Sequence, residues 1–181
     1  MKIVRFRSAS LSEVAEIVPA MQYPFKNEIE MGEWQIGSDP DELITTGLGA
    51  CVGLAAYNSS ERLGLVGHFS DVSGSSLYAN GREFQEAINS ISALGEIEDT
   101  YVWLGGVRPI RGEALLVAEH EREFALHALS DFLRDQGAQE PENQITVDWT
   151  PQGEAVDLGL SCSIGTLVVH QMPENFIPKD R

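Results

Sequence analysis

A thiol and an imidazole, Cys51 and His68, stand 17 positions apart in this chain of 181 residues. The stretch between them reads as two strands and one tight turn. Cys51-Val-Gly-Leu-Ala-Ala-Tyr57 and Leu63-Gly-Leu-Val-Gly-His-Phe69 are apolar and strand-like, and Asn58-Ser-Ser-Glu-Arg62 between them is turn chemistry. A regular antiparallel hairpin centred between Ser59 and Ser60 sets Cys51 directly opposite His68, with Cβ atoms roughly 4.5–5.5 Å apart. At that spacing an imidazole can take the proton of a thiol, the minimum that an activated cysteine nucleophile needs. Each residue also has a plainer reading. A cysteine in an apolar run is a small buried hydrophobe, and a histidine at a strand end is structural.

Two glycines precede the cysteine, in Gly47-Leu-Gly49-Ala-Cys51. They do not make a dinucleotide fingerprint, because Val52 occupies the third glycine position and Gly53 comes one residue late. They read instead as a bend that lets the Gly49 and Ala50 backbone amides approach a substrate carbonyl as an oxyanion hole. The alternative is a tight turn with no further role. The remaining chemistry-bearing residues make no constellation. His120 and His127 are seven apart, a poor metal pair without a third ligand, and read as surface or packing residues. Cys162, in Leu158-Gly-Leu-Ser-Cys-Ser-Ile164, reads as buried. No metal and no cofactor is expected.

The elements that must position these groups follow from periodicity and punctuation. Residues 2–7 alternate as a strand. Ser10-Leu-Ser-Glu13 has capping-box form and opens a short helix through Val18, before Pro19. Residues 33–36 make a short strand. The small polar run Ser70-Asp-Val-Ser-Gly-Ser-Ser76 reads as a mobile loop beside the candidate site. Phe84, Ala87, Ile88, Ile91 and Leu94 follow helical spacing up to Gly95. Thr100–Leu104 is a buried-type strand, and Ala114–Ala118 is a further apolar run. Glu121–Gln136 reads as a second amphipathic helix with Phe124, Ala128, Leu129, Phe132 and Leu133 inward, and Glu119, Glu121 and Glu123 as its solvated start. Strand-like segments 145–149, 155–160 and 166–170 close the chain, and the tail from Met172 reads as peripheral. With no repeat and no linker, the pattern is α+β, many strands with two or three helices packed on them.

The length suits one ordinary domain with a full core. Hydrophobic content of 43% and charged content of 22% are those of a soluble globular protein. No apolar run approaches the roughly 18 residues of a membrane span, so no membrane insertion is expected. The start, Met1-Lys-Ile-Val-Arg-Phe-Arg7, is too polar for a secretory signal. Two cysteines 111 positions apart are no disulfide framework, and a cytoplasmic, reducing setting is the simplest reading. A net charge of −16, from 12 basic and 28 acidic side chains, repels phosphate backbones and argues against a nucleic-acid partner.

The residues around the pair also carry a family likeness. Leu43-Ile-Thr-Thr-Gly-Leu-Gly-Ala-Cys-Val52 followed by Gly64-Leu-Val-Gly-His-Phe69 resembles the chemoreceptor glutamine deamidase (CheD) family, whose pattern is Thr-x-Gly-Leu-Gly-Ser-Cys-Val, a strand, then Gly-Leu-x-His-Phe. The Cys-to-His interval matches, as does a threonine six residues before the cysteine, here Thr45. Trp103-Leu-Gly-Gly-Val107 resembles the family's strand ending in Gly-Gly-Ala. The likeness covers about residues 40–170 and leaves 1–39 as a divergent N-terminal extension within a single domain, 1–181. The family is similar in fold to the catalytic domain of the cytotoxic necrotizing factor toxins. The implied fold is a pair of mixed β-sheets packed as a sandwich with two or three helices outside. The implied activity is protein-glutamine deamidation through a thioester. Cys51 is then the nucleophile, His68 the base and acid, and Thr45 a hydrogen-bonding residue that orients His68 or the substrate. The implied partner is a protein with an exposed glutamine, a chemoreceptor among them.

The chain departs from that pattern at Ala50, where the family has serine, and at Ser70-Asp71, where an apolar-Pro pair follows the histidine. Its closing Gly159–Gly165 segment also differs. Two other readings therefore stand beside the deamidase: a non-catalytic protein-binding module on the same fold, and a thiol hydrolase of a small amide or ester.

Overall fold

The computed structural model describes residues 1–7, 11–21, 27–74, 79–107, 113–150 and 155–172. The alternating and continuous apolar runs pair into two mixed sheets. One has the order β1-β9-β8-β3, built from Lys2–Arg7 (β1), Thr166–Met172 (β9), Ala155–Ser161 (β8) and Glu42–Leu48 (β3). The other has the order β2-β5-β4-β6-β7, built from Glu33–Ser38 (β2), Leu63–Phe69 (β5), Val52–Asn58 (β4), Thr100–Val107 (β6) and Ile145–Thr150 (β7). Within each sheet one pair is parallel, β1 with β9 and β6 with β7, and the others are antiparallel. The helices are α1 (Leu11–Ala15), α2 (Gly81–Ser90) and α3 (Glu113–Asp135). The fold is α+β, as the sequence implied.

The strands around the candidate site are apolar on both faces because they serve two cores at once. In β4, Ala55 and Tyr57 face the space between the sheets, where they meet Val66, Trp103, Leu158, Leu160 and Leu167. Their neighbours Leu54 and Ala56 face the other way, against Phe84, Ala87 and Ile88 of α2 and Ala125, Leu129 and Leu133 of α3. A third cluster, Val14, Val18 and Met21 against Ile44 and Val168, covers the outer face of the four-stranded sheet. The layers thus run helix, sheet, sheet, helices. Each large side chain buried this way contributes about 1.5–3 kcal/mol.

Three expectations are corrected here. The apolar run Ala114–Ala118 and the helix Glu121–Gln136 are one continuous helix, α3, because Ala-Leu-Leu-Val-Ala contains no breaker. Its inward line runs through Ala118, Ala125, Leu129 and Leu133, leaving Phe124 exposed. Glu121 is not solvated. It is buried and accepts the Ser73 N–H at 2.9 Å together with the Ser73 hydroxyl. Ser10 of the capping box, residues 75–76 of the polar loop and the tail beyond Met172 lie outside the described residues.

The hairpin register is also shifted. Val52 pairs with Phe69, Gly53 with His68 and Asn58 with Leu63, so the turn is centred between Ser60 and Glu61, one position later than expected. The cause is Asn58. Its buried Oδ1 accepts the N–H groups of Ser60 (3.0 Å) and Glu61 (2.9 Å), while Nδ2 donates to the Glu96 carbonyl (2.9 Å) and Thr100 Oγ1 (3.1 Å). That network makes Asn58 the last strand residue and Ser59–Arg62 the loop, with Arg62 in the left-handed region at φ 54°. Asn58→Ala takes the acceptor from the Ser60 and Glu61 N–H groups and a donor from buried Thr100, and so removes the loop's cap. It should cost about 2–3 kcal/mol, lowering Tm by roughly 4–12 °C. A thermal melt within a degree of wild type would show that the loop does not depend on this side chain.

Candidate functional site

Gly53, not Cys51, is the residue directly opposite His68. A shift of two in register preserves the face, because side chains alternate with period two. Cys51 lies one residue before β4, and continuing the ladder sets it diagonal to His68. Diagonal residues stand roughly 7–8 Å apart, within reach of long side chains. Gly53 itself is a packing necessity: a Cβ there would lie 2.7 Å from Leu48 Cδ1.

His68 is 6% exposed, and its side chain points from β5 into the space between the sheets. There it meets β3 of the opposite sheet. Thr45 Oγ1 lies 3.0 Å from His68 Nδ1, and the same hydroxyl donates to the Ile29 carbonyl at 2.8 Å. A threonine hydroxyl has one proton. Since that proton goes to Ile29, the oxygen must accept from His68, and the imidazole carries its hydrogen on Nδ1. Nε2 is then the bare, basic nitrogen. It is buried and has no hydrogen-bond partner among the described residues. A buried ring nitrogen left open in this way is a reactive lone pair or the seat of an absent group.

The segment carrying Cys51 is shaped by a bulge in β3. Thr45 pairs with Leu158 and Leu48 with Val156, so β3 spends one extra residue against β8. Gly47 takes that kink at φ 67°, and its N–H donates to buried Asp157 Oδ1 at 2.9 Å. The second carboxylate oxygen of Asp157 lies 3.4 Å from Nδ1 of buried His170. On the other side, β6 ends against the Cys51 backbone. A Cβ on Gly106 would overlap the Cys51 carbonyl oxygen, so only glycine permits this approach.

Cys51 is partly exposed, and Gly49 and Ala50 lead into it at the surface. Burial pushes its thiol up from the ordinary value, and the Gly49 backbone N–H, which favours the thiolate, offsets part of that rise. Burial pulls His68 down to about 4. Both shifts favour the uncharged forms, a thiol and a neutral imidazole and not a thiolate–imidazolium pair, and the Cys51 sulfur is not hydrogen-bonded to Nε2. Cys162 is fully buried, and burial pushes its thiol up to about 11. Both cysteines are free thiols. His120 and His127 lie exposed on α3, away from this chemistry.

The structure therefore joins Thr45 to His68 by a hydrogen bond and sets Gly49 and Ala50 next to Cys51 at the surface. Four neighbours of the site were missed in the sequence: Met31, Gly106, Asp157 and His170. Met31 Sδ lies 4.0 Å from Cys51 Sγ. Asp157 had a signal, a lone charge in the apolar strand Val-Asp-Leu-Gly-Leu. Met31 had none, because the turn that delivers it belongs to a non-local pairing. Beside that turn lies a cleft of about 630 Å³, whose walls include Glu28, Glu33, Glu83 and Glu86 but neither Cys51 nor His68.

No family model matches the chain. Over 45 residues, 25% of its length, it is 44% identical to a probable chemoreceptor glutamine deamidase CheD of Moorella thermoacetica, and the match spans 27% of that protein. A solved structure, Bacillus licheniformis hypothetical protein YfiH, superposes with a TM-score of 0.45 at 14% identity, covering 79% of this chain and 70% of that one. No described helix is long and apolar enough to cross a membrane.

The depressed imidazole has a consequence for stability. An unfolded histidine titrates near 6.5. The folded chain refuses that proton until about pH 4. Between these values the unfolded state binds more protons, so stability is complete above about pH 6.5 and falls as pH drops toward 4, by up to about 3 kcal/mol. Urea melts of wild type and His68→Gln between pH 7 and pH 4 should diverge accordingly, with the variant flatter. Parallel pH profiles would contradict a buried, neutral His68.

Proposed function

We propose that the chain is a cysteine-dependent amidohydrolase that converts protein glutamine side chains to glutamate. The single observation that carries this reading is the unpartnered Nε2 of His68, left bare because Thr45 takes the Nδ1 hydrogen, on the strand paired with the one that follows Cys51. The sequence likeness to a probable chemoreceptor glutamine deamidase supports the choice of amide and makes a chemoreceptor the first substrate to try.

In this mechanism His68 Nε2 takes the Sγ proton of Cys51 as the sulfur attacks the carboxamide carbon. The Gly49 and Ala50 amides face the developing oxyanion. The imidazolium returns its proton to the departing nitrogen, ammonia leaves, and a thioester remains. Water, deprotonated by His68, attacks that thioester and yields the glutamate carboxylate and the restored thiol. Because the resting pair is neutral, sulfur activation accompanies substrate engagement.

Ammonia release from a purified chemoreceptor and from casein, with mass spectrometry of the modified glutamines, tests the reading. Cys51→Ala should abolish release. His68→Ala should lower it by about 10²–10⁴-fold, the range of one general acid–base group. Undiminished release from Cys51→Ala would sink the proposal.

A second reading, a non-catalytic protein-binding module, is favoured by one observation: no hydrogen bond joins the Cys51 sulfur to His68 Nε2. The two part at His68. In an enzyme, iodoacetamide alkylates Cys51 with a pH profile that changes on His68→Ala. In a binding module, the profile is indifferent to that substitution.

A further inference from the structure

The side chain in contact with the proposed nucleophile's sulfur is a methionine that the chemistry above does not use. Met31 is 58% exposed, and its sulfur is 4.0 Å from Cys51 Sγ. Scattered exposed apolar residues are ordinary on protein surfaces. What sets Met31 apart is how it is held. It occupies the tip of a four-residue turn, Glu30–Glu33, closed by the Glu33 N–H on the Glu30 carbonyl at 3.0 Å. Gly32 takes the left-handed position at φ 89°, the arrangement of a type II turn with Met31 at its first corner.

The anchors of that turn are the backbones and side chains of the site itself. The Gly32 N–H donates to the His68 carbonyl at 2.7 Å. The Ile29 N–H donates to the Ile44 carbonyl at 2.8 Å, and the Ile29 carbonyl receives the Thr45 hydroxyl at 2.8 Å. Glu28 receives the Thr46 hydroxyl. The strap from Glu28 to Glu33 is thus pinned to β3 and β5 on both sides of Met31. The backbone that carries the thioether is held beside the thiol, while the side chain itself stays exposed.

We infer that Met31 is a specificity-determining residue beside Cys51: it packs on the apolar part of the substrate adjoining the reacting carboxamide. The occupant is a carboxamide carried on an apolar stem or neighbour, as in a glutamine side chain presented on a protein surface. A thioether suits this task because it is apolar, polarizable and adapts its rotamers to varied partners. This inference rests on Cys51 as the reacting group, and it adds what lies against the group being attacked.

The test uses the full chain and two thiol reagents that carry a carboxamide, iodoacetamide and N-phenyl iodoacetamide. In both, Cys51 sulfur displaces iodide from the same carbon, and only the apolar group behind the amide differs. Rates are read at Cys51 by mass spectrometry and normalised to free cysteine. Wild type should prefer the phenyl reagent by about fourfold, the equivalent of one buried methylene. Met31→Leu should keep that preference. Met31→Ala and Met31→Gln should lose it while iodoacetamide still reacts. A preference that is absent in wild type, or the same in all four proteins, overturns the inference. Because Met31 is exposed and alkylation needs no turnover, this result is independent of ammonia release. Failure of the Cys51→Ala assay bears on the enzyme reading, and failure of the reagent ratio bears on Met31.

Discussion

One hydrogen bond joins the two sheets at the point where chemistry is possible. Thr45 belongs to β3 in the four-stranded sheet and His68 to β5 in the five-stranded sheet, and they meet across the buried space between them. The bond has a direction because Thr45 has only one proton to give and Ile29 receives it. An imidazole buried among apolar side chains would otherwise be free to carry its hydrogen on either nitrogen. Here the packing of the sheets, the placement of Ile29 and the tautomer of His68 are one constraint. The strap that supplies Ile29 is the same one that carries Met31 beside Cys51, so the orientation of the base and the backbone beside the thiol are secured together.

The electrostatics of the pair follow from the same burial. Desolvation disfavours charge on either partner, raising the thiol and lowering the imidazole. A resting ion pair of the kind that pre-activates many cysteine nucleophiles is therefore not the ground state. A neutral base remains available over the whole physiological range, since His68 does not protonate until about pH 4. The Gly49 backbone N–H favours the thiolate and partly offsets the desolvation. Activation in such a site belongs to the moment when a substrate carbonyl accepts the sulfur's electrons.

Much of this was legible in the chain, because the local signals were strong where they mattered. The continuous apolar runs of β4 and β5 announced strands buried on both faces. The helical spacing of Phe84, Ala87, Ile88, Ile91 and Leu94 marked a buried helical face, and all five are buried. The Cys51–His68 interval pointed to a hairpin, but not to its register. Asn58 decides that through hydrogen bonds to Glu96 and Thr100, residues some forty positions away, which no local pattern carries. The apolar run Ala114–Ala118 carries no sign that it belongs to α3, and its Leu116 and Val117 are exposed. Glu121 has the sequence pattern of a solvated helix start, and its burial depends on Ser73, 48 positions away. Met31, Gly106 and Asp157 depend on contacts between distant strands, and their roles are invisible without the sheet order.

The proton on His68 is the most direct test of this account. In a chain labelled with ¹⁵N at histidine, the two ring nitrogens of His68 have distinct chemical shifts for protonated and bare states. At pH 7 the account predicts a neutral ring with hydrogen on Nδ1 and a bare Nε2, and a mixture of tautomers in Thr45→Val. A wild-type His68 protonated on Nε2, or doubly protonated at pH 7, would contradict it.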